Sequence, residues 1–134
     1  MDERDRDLLE RMVAHAEAAI GYKRAGGRAW WTDPRTFEAI ITRITQVGEA
    51  ATKVSATTAA GIPRVPWVQI RNTRHRIVHD YMNADVQIVR EIVTRELPAL
   101  VRALTKALQP PAPARRPGAT GARTTARRSP KGPR

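Results

Sequence analysis

Apolar side chains across residues 2–109 recur at steps of three and four, and no window alternates as a half-buried strand would. That spacing commits the chain to helices, each with one face that must be buried against another. Leu8, Leu9, Met12, Val13, Ala16, Ala19 and Ile20 make the first stripe, over residues 2–20. Asp2, Glu3, Asp5 and Asp7 stand where they complement the positive end of that helix. Gly21, Gly26 and Gly27 interrupt it, and Trp30, Trp31 and Asp33 before Pro34 mark a turn. Phe37, Ile40, Ile41, Ile44, Val47, Gly48, Ala51 and Val54 make the second stripe, with Thr32 or Asp33 as cap and Pro34 in the first turn. Gly61, Ile62, Pro63 and Pro66 form the next connection.

A third helix is predicted from near Pro66 to about His79 or Tyr81, because Trp67, Ile70, Ile77, Val78 and Tyr81 fall on one face. A fourth, capped by Asn83 or Asp85, carries Val86, Val89, Val93, Leu97, Leu100, Leu104 and Leu108, with a kink or restart at Pro98. Four to five helices with short connections predict an all-α antiparallel bundle.

The helical spacing stops at Leu108. Residues 110–134 contain six prolines, three glycines and seven Lys or Arg, with no acid and no apolar side chain larger than alanine. A segment so composed cannot bury a core, so a helical domain over 1–109 is expected to be followed by a disordered basic tail over 110–134. The chain has 24 Lys and Arg against 13 acids, a net charge of +11, and most of that excess belongs to the tail. An anionic partner is implied, nucleic acid first. The tail itself reads equally as a solvated linker or as an arm that raises RNA affinity without sequence choice.

The 134 residues fit one domain. The absence of cysteine excludes disulfides, thiolate catalysis and thiol-built zinc sites. No apolar run is long enough to span a bilayer, and the charged first residues do not resemble a secretory or transit signal, so a cytoplasmic protein without membrane association is expected. There is no glycine-rich phosphate loop, no nucleophile elbow and no set of acids spaced for two metals, so chemistry without metal or cofactor is the simpler expectation. Trp30, Trp31 and Trp67 stand beside turns and prolines, where aromatic rings more often anchor packing than stack on bases.

The third helix carries an anomaly. On a continuous helical wheel begun at Trp67, Arg74 falls at about 340°, inside the apolar stripe between Tyr81 at about 320° and Val78 at about 20°. A guanidinium there needs a carboxylate, a phosphate or a wet cleft. Glu49 is a candidate countercharge from the second helix. Arg71, His75 and His79 form an i, i+4, i+8 row along the stripe's edge, while Asn72, Thr73, Arg76 and Asp80 take the exposed side. Histidines titrate near neutral pH and can take a proton from an RNA 2′-hydroxyl, and arginine can stabilise charge developing on phosphoryl oxygens. The same row is also what a solvated polar edge looks like, and an arginine in a stripe also snorkels or pairs at a subunit interface. Two histidines without a third suitable ligand make a poor metal site.

These residues also carry a resemblance. Pro66-Trp67-Val68-Gln69-Ile70 through Arg74-His75-Arg76-Ile77-Val78-His79-Asp80-Tyr81 resembles the Pro-Trp and Arg, four residues, His, x, Tyr signature of HepT-like toxins in the HEPN superfamily. Val47-Gly48-Glu49-Ala50-Ala51 resembles the family's Ile-Gly-Glu-Ala-Ala segment, and Glu96-Leu97-Pro98-Ala99-Leu100 its Asp-Leu-Pro-x-Leu segment. One departure is His75, where asparagine is frequent. The resemblance covers most of residues 1–109, and no counterpart to the tail is evident. It implies an all-helical domain that dimerises and acts as a metal-independent endoribonuclease, the toxin of a type VII-like toxin–antitoxin system.

By that resemblance the active site is composite, with the motifs of two copies facing one another across a cleft. His79 is the implied general acid or base, Arg74 the phosphate and transition-state binder, and His75 and Arg71 supporting groups. An MntA-type nucleotidyltransferase antitoxin is implied as partner, blocking the site by transferring AMP to Tyr81. A second copy is expected against Trp67, Ile70, Arg74 and Ile77. Two other functions fit the same residues: a nonenzymatic helical adaptor, or a nucleotide-binding regulatory subunit of a nucleotidyltransferase complex.

Overall fold

Asp2 begins the first helix, its Oδ1 accepting from the Asp5 amide at 2.8 Å. This is seen in a computed structural model that describes residues 1–80 and 83–110, with only the backbone for His79, Asp80 and Asn83. Tyr81 and residues 111–134, nearly all of the expected tail, lie outside the described residues. Helix α1 spans Glu3–Gly26. It runs through Gly21, which was expected to interrupt it, because its face toward the second helix continues to Tyr22. Gly27, at φ 80°, then turns the chain in the left-handed region that only glycine adopts freely. A 3₁₀ turn, Trp30–Thr32, leads to Asp33, whose Oδ2 accepts from the Thr36 amide and hydroxyl at 3.3 and 2.7 Å. Pro34 opens α2, Pro34–Lys53, as its sequence predicts.

Helices α1 and α2 run antiparallel. Arg43 on α2 bridges to α1, with Nη1 3.0 Å from His15 Nδ1 and Nη2 donating to the Tyr22 hydroxyl at 3.2 Å. At the other end Asp5 reaches beyond α2: its carboxylate accepts from the Ser55 amide at 3.1 Å and from the Ser55 and Thr58 hydroxyls at 2.5 and 2.6 Å. Ser55 caps α3, Ala56–Ala60, a short helix the apolar spacing does not foretell. The core between these helices holds Leu9, Met12, Ala16, Ile40, Ile44, Val47 and Ala51.

The C-terminal helical run completes the bundle. Asp85 caps α6, Val86–Glu91, by accepting from the Ile88 amide at 3.1 Å. A π-helical turn, Ile92–Glu96, then leads into α7, Leu97–Leu108. The restart expected at Pro98 takes this form: proline has no N–H for the carbonyl four residues back, and the wider turn takes up the mismatch. Helix α7 returns antiparallel along α1, where Arg6 Nη2 donates to the Leu108 carbonyl at 2.8 Å. Val89, Val93, Leu97, Leu100 and Leu104 fill the remaining core. Among the described residues no helix is long and apolar enough to cross a membrane.

The region predicted as one third helix is divided. It forms α4, Trp67–Arg71, and α5, Thr73–Ile77, then extended backbone, β1, Val78–Asp80. Strand β1 pairs antiparallel with β2, Asn83–Ala84, through Val78 with Ala84 and Asp80 with Asn83. Two contacts account for the break. The Thr73 hydroxyl donates to the Ile70 carbonyl, diverting it at the junction. The Asp85 amide takes the Ile77 carbonyl at 2.6 Å, which a continuing helix would use four residues on. The molecule is thus an all-α bundle with one short hairpin at the end of its motif segment.

The tryptophans are packing anchors. Trp30 is buried, stacks on Phe37 at 6.4 Å and meets Trp31 edge-on at 5.8 Å. Trp67 is buried, and its indole N–H donates to the Ile62 carbonyl at 3.1 Å. Trp31, half-buried, carries the Arg90 guanidinium 3.6 Å above its ring.

Candidate active site

Helix α2 approaches the α4–α5 junction so closely that a side chain at Gly48 would crowd its neighbours. A Cβ on Gly48 would lie 3.1 Å from the Ile70 carbonyl oxygen and 3.3 Å from Thr73 Cβ. Thr73 fills that contact and is buried, with 4% of its surface exposed. Arg71, at the end of α4, donates from Nε to the Ala51 carbonyl at 3.2 Å and lies 5.7 Å over the Trp67 ring. The segment from Val47 to Ala51 therefore holds the motif backbone through Gly48 and Ala51.

The second clamp comes from the C-terminal run. Arg76 makes a bidentate pair with Glu96, Nη1 to Oε1 at 2.9 Å and Nη2 to Oε2 at 2.6 Å. Both side chains are about one-fifth exposed, at 19% and 22%. Hydrogen bonding to Glu96 raises the Arg76 pKa against the opposing effect of burial. Three separated sequence blocks thus meet at α4 and α5: Val47 to Ala51 below, Glu96 to Leu100 beside, and the Pro66 to Ile77 stretch between them.

Held this way, α5 presents Arg74 and His75 to solvent. Among the described residues no side chain pairs with either. This corrects the continuous wheel, which put Arg74 in the apolar stripe and Thr73 outside it. The break at Asn72 shifts the frame, so that Thr73 takes the packed position and Arg74 the open one. Glu49 is exposed and does not pair with Arg74. The Arg71, His75, His79 row also fails, because the three residues belong to α4, α5 and β1. The side chain of His79 and all of Tyr81 lie outside the described residues.

Trp67, Ile70 and Ile77, expected to face a second copy, are 7%, 7% and 3% exposed and pack in the chain's own core. Among the described residues, the large apolar side chains left open on this segment are Val68, 79% exposed, and Val78, 49% exposed. Gly48, Thr73 and the Arg76–Glu96 pair are the positioning residues that spacing alone missed. Glu96 stood in a resembling block, but nothing local to it pointed to Arg76. Among the described residues no three His, Asp or Glu side chains gather to hold a metal ion.

The family described as Ribonuclease HepT-like matches residues 6–107. The chain belongs to the HepT-like ribonuclease family. A protein of Caldanaerobacter subterraneus subsp. tengcongensis, provisionally named as an RNase, is 26% identical over 77 residues, 58% of this chain and 69% of that relative. A protein of Thermococcus cleftensis named "Probable ribonuclease HepT" is 26% identical over 68 residues, 51% of this chain and 62% of the relative. A third, provisionally named as an RNase in Methanocaldococcus jannaschii, is 27% identical over 66 residues, 49% of this chain and 54% of the relative. The chain thus spans between about half and just over two thirds of these relatives. No solved structure matches it.

Proposed function

We propose that the chain is a metal-independent endoribonuclease toxin, active as a homodimer and silenced by a nucleotidyltransferase antitoxin. The observation that carries this reading is the pair of exposed groups on α5, Arg74 and His75, unpartnered among the described residues, at the foot of the strand that contains His79. A cation and an imidazole presented to solvent from a clamped backbone can receive a phosphodiester. Arg74 binds the phosphoryl oxygens and stabilises their added charge, and His75 and Arg71 support that field. His79 takes the 2′-hydroxyl proton, and the 2′ oxygen attacks the adjacent phosphorus to form a cyclic phosphate. The 5′ oxygen leaves with a proton from the protonated His79 of the second copy.

The exposure of Val68 and Val78 beside this site supports covering of the segment by that second copy. The antitoxin acts by moving AMP from ATP to the Tyr81 oxygen, with pyrophosphate leaving. The bulky anion then competes with RNA for Arg74.

Purified chain incubated with RNA in EDTA is expected to cleave it, and Arg74→Ala or His79→Ala to lower the rate by about 10²–10⁴-fold. Cleavage by both variants at the parental rate refutes the site. Binding of RNA without turnover by the parent favours an adaptor instead. Val68→Glu, which leaves the core untouched, is expected to sediment as a monomer without cleavage. A fully active monomer contradicts the composite site.

A further inference from the structure

Beyond α5 the surface carries a second cationic feature that the cleavage chemistry does not use. A groove of about 300 Å³ runs between the α3–α4 connection and α7, floored by Ile70, Ala99, Leu100 and Ala103. Glu96 borders its α5 end and is, among the described residues, the one carboxylate lining it, and that charge is already neutralised by Arg76. Across Arg64, Ala99 and Ala103 the groove continues into a second, of about 500 Å³, lined by these three with Arg102 and Lys106. Among the described residues the second part is lined by three cations, with no carboxylate and no aromatic ring. Arg64, Arg102 and Lys106 are all exposed. Among the described residues none of these three side chains is held in a hydrogen bond or ion pair.

We propose that this groove is a track for the backbone of a single RNA strand leading to or from the α5 site. The inference rests on the nuclease reading for its direction, not for its charge. Arg102 and Lys106 stand one helical turn apart, about 6 Å along α7, so positive charge repeats along the groove as phosphates do along a strand. The alanine floor leaves the groove shallow enough for a backbone to lie on it, and apolar enough to need no polar partner. Lacking rings to stack on bases, the track holds phosphates and is indifferent to sequence. It lengthens the footprint on RNA without touching the reacting atoms.

The test uses the full chain with Arg64→Gln, Arg102→Gln and Lys106→Gln combined, exposed changes whose fold is checked by circular dichroism. The probe is an unstructured RNA of about 20 nucleotides with 2′-O-methyl groups, which cannot supply the attacking hydroxyl; binding is followed across salt concentrations. Loss of three phosphate contacts lowers the slope of log affinity against log salt by about 2, at about 0.7 per contact on a single strand. The parent's advantage over the variant then shrinks on the order of tenfold between about 50 and 200 mM salt. The tail is present in both proteins and cancels.

An unchanged slope and affinity overturns the track. So does unchanged RNA binding with lost binding to polyglutamate, which assigns the groove to an acidic protein. If the parent binds this RNA but cleaves no unmodified RNA, the nuclease reading fails while the slope still decides the track. Where the parent cleaves a dinucleotide, the variant is expected to cleave it equally, and loss of that cleavage overturns the separation of track from site.

Discussion

The packing of α2 on the motif segment gives a sharp prediction because the chain contains its own control. Gly21 and Gly48 both lie inside long helices, and replacing glycine by alanine there stabilises a helix by about 0.8–1 kcal/mol. At Gly21 the added Cβ meets nothing within 4 Å, so Gly21→Ala is expected to yield that gain in full. At Gly48 the same Cβ meets the Ile70 carbonyl at 3.1 Å and Thr73 Cβ at 3.3 Å. The first is backbone whose oxygen already accepts from the Thr73 hydroxyl, so α4 must give way by a few tenths of an ångström. Overpacking of this kind costs about 1–3 kcal/mol, which outweighs the helical gain and leaves Gly48→Ala about 0–2 kcal/mol less stable than the parent.

The helical term cancels between the two variants, so their difference of about 1–3 kcal/mol is the steric cost itself. Urea unfolding of parent and both variants measures it, provided the slope with denaturant stays constant. In thermal scans each kcal/mol corresponds to about 4–8 °C for a domain of this size. The shift of α4 and α5 should also lower RNA cleavage by Gly48→Ala and spare Gly21→Ala. If Gly48→Ala gains as much stability as Gly21→Ala, the close approach described here is wrong.

Two further predictions follow from the polar contacts. A double-mutant cycle of Arg76→Ala and Glu96→Ala should return a coupling of about 1–2 kcal/mol, above the range of exposed pairs because the partners are mostly shielded, and zero coupling would remove the second clamp. Hydrogen bonds from Ser55, then Thr58, hold the Asp5 carboxyl below the usual carboxylate range. Its stabilisation is therefore present above the unfolded carboxylate pKa of about 4 and is lost as pH falls through the lower folded value. Asp5→Asn should lower the melting temperature at pH 7 and flatten its decline in acid, and an acid limb unchanged in the variant would contradict this assignment.

What the sequence could determine was local. Helix faces follow from apolar steps of three and four, and Asp33 with Pro34 or Asp85 announces a helix start, because each signal and its effect lie within one turn. The motif's residue types were legible for the same reason, and with them the family. The direction each motif side chain takes was not. Thr73 is buried and Arg74 open because α2 comes within reach of Thr73 and the Asp85 amide captures the Ile77 carbonyl. Asp5 finds Ser55, and Arg76 finds Glu96, across 50 and 20 residues. No wheel drawn on one segment contains those partners. The tertiary structure decided the site's exposure, because a helix ends where distant groups compete successfully for its hydrogen bonds and its packing face.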